Sequence, residues 1–165
     1  MKSANLETMF HDALRDVYYA ERKILKAMPK MARATQSTEL REAMEKHRTE
    51  TEGQIERIQQ IFEMMGKRAQ GKTCPAIDGI IEEGEEILEN YRGSQALDAG
   101  IVASTQAVEH YEIARYGTLR AWAQALGMND AVPLIEQSLA EETATDELMS
   151  RLAEQSVNPM AVQAA

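Results

Sequence analysis

A chain of 165 residues with 27 acidic and 18 basic side chains carries a formal net charge of −9 at pH 7. Binding to nucleic acid or to an anionic membrane surface requires a basic face, so we expect neither as a partner. The single cysteine, Cys74, excludes an internal disulfide and any cysteine-rich metal site. Strong helix formers dominate and aromatic residues reach only 5%, so the composition predicts an all-α protein with one domain over residues 1–165.

The N-terminal stretch MKSANLETMFHDALRD contains no apolar run of the kind found in a signal peptide. No later segment approaches the length and hydrophobicity of a membrane span. These two features predict a cytoplasmic protein.

The first half of the chain predicts two long amphipathic helices. The first spans residues 5–33, with Asn5 as its N-cap and Pro29 bending or shortening its end. A short polar turn leads into the second helix, over residues 38–65, which Thr38 is expected to cap. Because the turn is short, these two helices should be antiparallel neighbours.

The second half predicts another hairpin of the same kind. A shorter helix that starts at Pro75 lies within a crossover of roughly 28 residues, which joins the two hairpins. The third long helix spans residues 94–126 and ends at Gly127, and the fourth spans residues 130–155. Residues 156–165 are expected to form a frayed tail. Two antiparallel hairpins with one long connection predict a four-helix bundle rather than a simple up-and-down arrangement.

Each long helix places carboxylates on the face that should be apolar. They are Glu21 in the first helix, Glu50 in the second, Glu109 and Glu112 in the third, and Glu142 in the fourth. The distances from the predicted helix starts to Glu21, Glu50, Glu109 and Glu142 differ by only ~6 Å, so antiparallel packing can bring them to one depth. Gln54 follows Glu50 by four residues and Asp146 follows Glu142 by four, which suggests that one ligand set has been duplicated.

A cluster of carboxylates inside a bundle indicates metal binding. Uncompensated buried carboxylates are strongly unfavourable, and two cations would neutralise the whole set. The predicted ligands are Glu21, Glu50, Gln54, Glu109, Glu112, Glu142 and Asp146. Carboxylates with an imidazole or amide favour iron, with manganese and zinc as alternatives. The competing interpretation is a set of buried salt bridges, but Arg15, Arg57 and Arg115 do not share these faces at this depth.

Three further side chains are expected to orient the ligands rather than to bind metal themselves. His47 precedes Glu50 by one turn, and ligation by its ring or a plain core role stays open. His110 points about 100° away from Glu109 around the helix, so it should orient a neighbour or meet a helix interface. Tyr116 could donate a hydrogen bond to a metal ligand or to a bound oxidant, or be a core tyrosine whose hydroxyl a carboxylate satisfies.

Several motifs resemble a known family. The stretches HRTETEGQIERI, CPAIDGIIEEG, VEHYEIARYGTL and LAEETATDELM are similar to the YciF-type bacterial stress-protein family. Together with Glu21, Glu50 and the EHYE and EETATD segments, they also resemble the wider ferritin-like, rubrerythrin-like di-iron superfamily. The resemblance covers nearly the whole chain. It implies a ferritin-like four-helix bundle that holds two metal ions.

The resemblance also implies roles for single residues. Glu21 and Glu112 resemble terminal ligands, Glu50 and Glu142 resemble bridging ligands, and Glu109 matches an extra carboxylate of rubrerythrin-like sites. The chain departs from the superfamily where Gly53 and Asp146 occupy histidine positions. These departures leave an oxygen-rich site, so oxidase or peroxidase activity does not follow from the resemblance.

The resemblance implies a stress-associated protein. Action of a dinuclear site on peroxide or oxygen is the leading hypothesis for its function. A homodimer is expected from relatives, and the lack of a four-cysteine rubredoxin module implies an external electron donor. Two alternatives stay open: iron binding without turnover, and a structural stress protein whose site stabilises the bundle.

Overall fold

A computed structural model describes residues 4–163, and within that range the chain forms helices and connecting turns without a strand. In chain order the elements are α1 (Leu6–Ala34), α2 (Thr38–Met64), α3 (Pro75–Asn90), α4 (Leu97–Ala125), α5 (Val132–Leu152), a π-helical turn (Ala153–Val157) and α6 (Asn158–Gln163). The prediction of an all-α protein is confirmed. None of the helices in this range is long and apolar enough to cross a membrane.

The ends of α1 and α2 follow from local hydrogen bonding. The side chain of Asn5 accepts a hydrogen bond from the backbone N–H of Thr8, 2.9 Å away, and so caps α1 as predicted. Pro29 lies inside α1 without ending it, and the helix continues to Ala34. Ser37, rather than Thr38, caps α2, because its hydroxyl accepts a hydrogen bond from the first turn.

The crossover helix and the second hairpin also have boundaries close to the predicted positions. Pro75 occupies the first turn of α3, where its missing N–H costs no helical hydrogen bond. Gly127 follows α4 with a φ of 69°, a left-handed conformation that glycine adopts without steric cost. Val132 begins α5, which has no side-chain cap.

The four long helices form a closed ring of antiparallel neighbours. α1 packs against α2, and α4 packs against α5, as two hairpins; contacts of α2 with α5 and of α1 with α4 close the ring. The start of α1 shares an apolar cluster with the ends of α2 and α4 and the start of α5. The opposite ends share a second apolar cluster. α3 crosses the outside of the ring and packs against α1 and α4.

The two apolar clusters leave a polar layer between them. The first cluster includes Phe10, Leu14, Phe62, Leu119 and Ile135. The second includes Leu40, Met44, Leu97, Ile101 and Met149. The helices cross from one cluster to the other through the middle of the bundle, and the predicted acidic residues fall in that middle section. The packing of the two ends therefore fixes the depth of the site.

The C-terminal segment differs from the sequence prediction for residues 156–165. A π-helical turn and α6 continue the chain in helical form to Gln163, and residues 164–165 lie outside the described part. Val157 is buried and packs within the second apolar cluster. Burial of this one side chain gives the segment an anchor that helical periodicity near a chain end does not reveal.

Asp98 joins the two hairpins and provides a first test of the fold. Its carboxylate accepts hydrogen bonds from the backbone N–H groups of Gln36 and Ser37, at 2.9 and 2.7 Å. In Asp98→Ala both donors lose their partner, so we expect a loss of about 2 kcal/mol of stability and a fall in Tm of about 5 °C by thermal denaturation. Glu39→Ala, an exposed change nearby, serves as the control. Equal Tm values for the two variants would contradict the bridging role.

Candidate metal centre

The middle of the bundle is lined by buried polar side chains from all four long helices. Members with no exposed surface are Glu21 from α1, Thr51 and Gln54 from α2, Glu109 and Glu112 from α4, and Glu142 from α5. His47 from α2 and Tyr116 from α4 are almost as completely buried. The helices therefore bring together at one depth five of the seven predicted metal ligands and two of the three predicted orienting residues.

Four of these side chains form a compact group. His47, Glu109, Glu112 and Glu142 each offer one atom capable of binding a metal, and these atoms all lie within 4.8 Å of one another. Nε2 of His47 is 3.0 Å from Oε1 of Glu109, although the two atoms are not aligned for a hydrogen bond. The sequence left open whether His47 orients a ligand or binds a metal itself, and the structure places its ring beside the carboxylates.

Most polar atoms of the group have no donor to satisfy them. Both oxygens of Glu109 and of Glu112 lack a hydrogen-bond partner among the described residues, as do Oε2 of Glu21 and Oε2 of Glu142. The two ring nitrogens of His47 also lack a hydrogen-bond partner among these residues. Buried polar atoms are normally paired, so this many unpaired atoms at one place make the group a candidate for binding a cation. Carboxylate oxygens and an imidazole fit a divalent iron, manganese or zinc ion.

Burial changes the protonation of the acidic groups when no cation is present. It raises the pKa of Glu21 to about 8, and the charge of Glu142 adds to the effect. Burial likewise raises the pKa of Glu109 and of Glu112 well above the usual carboxyl range, again with repulsion from Glu142. Without a cation, these carboxyl groups therefore retain protons near neutral pH.

Tyr116 and Gln54 hold two of the carboxylates in place. The hydroxyl of Tyr116 donates a hydrogen bond to Oε1 of Glu21, and burial together with that neighbouring charge raises the pKa of the tyrosine. Nε2 of Gln54 donates to Oε1 of Glu142 and also lies 3.2 Å from Oε2 of Glu141. Both contacts leave the second oxygen of the buried carboxylate free to bind an ion.

An ion pair at the edge of the group was missed by the sequence interpretation. Arg57 donates to the carboxylate of Glu141 and, over 3.0 Å, to the hydroxyl of Ser138. Its charge also acts on Glu21, where it lowers the carboxyl pKa and so opposes part of the effect of burial. Arg57 was judged to lie away from the carboxylate faces. Its long side chain reaches across from α2 to α5, which residue spacing within one helix cannot show.

Three predicted site residues lie at the edge of the bundle instead of inside the group. The Glu50 side chain is 19% exposed, and its oxygens contact Nζ of Lys46 at 2.7 Å and the hydroxyl of Thr145 at 3.4 Å. Asp146 is 20% exposed and lies 3.1 Å from Nε2 of His110, whose side chain is 68% exposed. His110 therefore contacts a predicted ligand without entering the buried group.

The reason for these positions is a shift of one residue in the inward face of two helices. In α2 the buried polar residues are His47, Thr51 and Gln54, so Thr51 takes the inward position that was assigned to Glu50. In α5 the inward residue after Glu142 is Thr145 rather than Asp146. Steps of three and four residues both keep a side chain on one face of a helix, so spacing alone could not choose between the two.

The fold and the buried group define an all-helical protein with a carboxylate and histidine site at its centre. The chain belongs to the DUF892 family, a domain of unknown function, which it matches over residues 5–162. It is 41% identical to protein YciF of Escherichia coli K12 over 162 residues, which cover 98% of both chains. The predicted membership of the YciF-type family is therefore confirmed.

Solved structures agree with this assignment. The crystal structure of the E. coli stress protein YciF matches with a TM-score of 0.89 and 42% identity, covering 96% of this chain and 99% of the other. YcfI from Rhodopseudomonas palustris, described provisionally as a structural protein, matches with a TM-score of 0.87 and 43% identity, covering 91% and 97%. A Xanthomonas campestris protein shares the fold at 21% identity, with a TM-score of 0.75 over 96% and 97% of the two chains.

Proposed function

We propose that this chain is a ferritin-like, stress-associated protein that binds a pair of metal ions, iron by preference, in the centre of its bundle and handles peroxide or dioxygen there. The observation that carries the proposal is the group of His47, Glu109, Glu112 and Glu142, with ligand atoms within 4.8 Å and most of them unpaired. Manganese and zinc are the alternative ions. The stress association rests on the similarity to the E. coli relative, which is a stress protein.

The charges of the group support two ions better than one. Glu142 raises the pKa of Glu21, of Glu109 and of Glu112, so its carboxylate lies among the other three and suits a bridging position. His47 and Glu109 would serve one ion. Glu21, which lies outside the group of four but next to Glu112, would serve the other.

The protein itself contributes positioning and the exclusion of water. Gln54 orients Glu142 and Tyr116 orients Glu21, so neither carboxylate needs to reorganise when an ion binds. Two bound ferrous ions would supply two electrons in total, one from each ion, and with two protons from solvent these electrons reduce one hydrogen peroxide to two waters. A cytoplasmic homodimer that receives electrons from another protein completes the proposal.

An anaerobic Fe(II) titration tests the site directly. We expect the wild-type protein to bind two ions per chain and Glu142→Ala to bind none tightly, because Glu142 would touch both ions. Glu50→Ala is expected to retain one ion. Glu50 must leave Lys46 to reach the group, and it would then bind only one of the two ions. Glu52→Ala, an exposed neighbour on the same helix, is the matched control and should bind two.

The outcomes separate the proposal from its alternatives. Failure of the wild-type protein to hold iron, manganese or zinc under any reconstitution would end the metal proposal. If two ions bind but neither peroxide nor dioxygen is consumed faster than by free iron, metal binding stands and the catalytic part fails. Unchanged stoichiometry in Glu50→Ala would leave the assignment of that one residue wrong.

A non-catalytic iron-binding or structural role is the second candidate. The observation that favours it is the completeness of burial: the carboxylates of the group have no exposed surface, so an ion held there would stabilise the bundle. The provisional structural description of the Rhodopseudomonas palustris relative points the same way. In this case metal should raise the Tm strongly without any reaction with peroxide or dioxygen.

A further inference from the structure

A pocket beneath α3 leads from the surface to the buried group. It lies between α1, α2, α3 and α4, has a volume of about 40 Å³ and ends at His47 and Glu109. Lys30 and Glu85 line the pocket and are exposed, with Nζ and Oε1 3.8 Å apart across the outer side. The pocket therefore joins the solvent side of α3 to one side of the proposed metal centre.

The walls of the pocket are apolar along their length. They are formed mainly by Ile24, Met28, Met44, Ile81, Leu88 and Val108. Polar side chains occur at the two ends and, along one wall, as Ser104 and Thr105, whose hydroxyls donate to carbonyls of their own helix. A trapped water needs two to four polar partners, which these walls do not offer.

The pocket exists where α3 lacks a side chain. Gly84 is buried in the wall, and a Cβ at this position would lie 3.3 Å from Cε of Met31 and 3.5 Å from Cβ of Ser104. A larger side chain at position 84 would therefore enter the pocket. Gly79, on the same helix, is exposed and has no atom within 4 Å of the equivalent Cβ position. The two glycines provide a matched pair for substitution.

We propose that this pocket binds a small, uncharged, apolar molecule of the class of dioxygen and leads it to the His47 and Glu109 side of the centre. The volume gives room for roughly three molecules of water size, enough for a diatomic gas. Hydrogen peroxide would lose its hydrogen bonds to water between these walls without replacing them. The delivery of a reactant rests on the proposed function, whereas the binding of an apolar gas in the pocket does not.

Xenon binding to the metal-free protein tests the pocket without any reaction. Crystals pressurised with xenon, or xenon NMR in solution, should show one site between Gly84 and His47 in the wild-type protein. Gly84→Leu should reduce xenon affinity at least tenfold, because its side chain fills the space, and Gly79→Leu should leave the affinity unchanged. Met31→Ala opens the same wall and should raise the xenon affinity. This variant tests the pocket if Gly84→Leu does not fold. Absence of xenon from the wild-type pocket would overturn the proposal.

Stopped-flow oxidation of the Fe(II)-loaded protein tests the route. In Gly84→Leu the rate with dioxygen should fall at least tenfold, while the rate with hydrogen peroxide should change less than twofold. Gly79→Leu should match the wild type with both oxidants. If both rates fall equally, or neither falls, the pocket is not the route for dioxygen. A protein that binds xenon but no iron would retain the gas pocket, lose the route and refute the proposed function separately.

Discussion

The metal-free protein is expected to lose about 10 °C in Tm when the pH is raised from about 5 to about 8. Burial raises the pKa of Glu21 from its ordinary value of 4.5 to about 8. Each pH unit between these two values costs about 1.4 kcal/mol for one such group, and a chain of this size loses roughly 2–4 °C per kcal/mol. Burial also raises the pKa of Glu109 and of Glu112, so these two groups make the fall of stability with pH steeper.

The sign follows from counting protons in the two states. Above about pH 4.5 the carboxyl group of the unfolded chain has lost its proton, while the buried group in the folded chain keeps it up to about pH 8. The folded state then binds more protons than the unfolded state, so stability falls as the pH rises. The stabilising effect is fully present below the unfolded pKa and is lost as the pH passes the folded pKa.

A divalent cation should reverse this dependence. Mn(II) is the suitable probe because it does not react with dioxygen during a melting experiment. An ion replaces the protons of the buried carboxyls, so its affinity and its stabilising effect should both increase from about pH 6 to about pH 8. Thermal denaturation with and without Mn(II) at each pH gives both quantities.

Two variants isolate the buried group from the rest of the chain. Glu21→Gln keeps an oxygen for Tyr116 but cannot ionise, so its Tm should fall less steeply with pH than that of the wild type. Glu147→Gln changes an exposed residue of α5 and should retain the full slope. A wild-type slope equal to that of Glu21→Gln would show that Glu21 is not held protonated by burial.

The architecture was largely predictable because it depends on periodicity, caps and breakers that are local in the sequence. Asn5, Pro75 and Gly127 marked helix ends that the structure confirms. Hydrophobic periodicity located the four long helices, and turn length indicated which pairs form hairpins. The polar interruptions of that periodicity then identified Glu21, Glu109, Glu112 and Glu142 as a buried set.

The parts that were not predictable depend on contacts between helices. Whether Glu50 or Thr51 faces inward is a difference of one residue, and it is decided by how α2 is rotated against α5. Arg57 reaches Glu141 only because the two helices pack side by side. The pocket beneath α3 likewise depends on the missing side chain of Gly84 opposite Met31, two residues far apart in the sequence.

Replacement of Glu112 by methionine is expected to stabilise the metal-free protein while it abolishes tight metal binding. Both oxygens of Glu112 are buried without a partner among the described residues, and burial raises its pKa. An apolar side chain of similar length removes that unfavourable burial, and a buried polar group without a hydrogen bond costs about 1–3 kcal/mol. Loss of a ligand shared by the group should reduce Mn(II) affinity by roughly 100-fold or more.

The two effects are measured on the same sample, by thermal denaturation without metal and by Mn(II) titration. Glu147→Met, an exposed acid-to-methionine change, is the control and should alter neither quantity appreciably. A lower Tm together with unchanged Mn(II) affinity in Glu112→Met would mean that the carboxylates serve the packing of the core, and the metal proposal would lose its physical basis. The expected result has the opposite meaning, because a ligand that binds the buried group explains why the chain keeps a side chain that lowers the stability of the free protein.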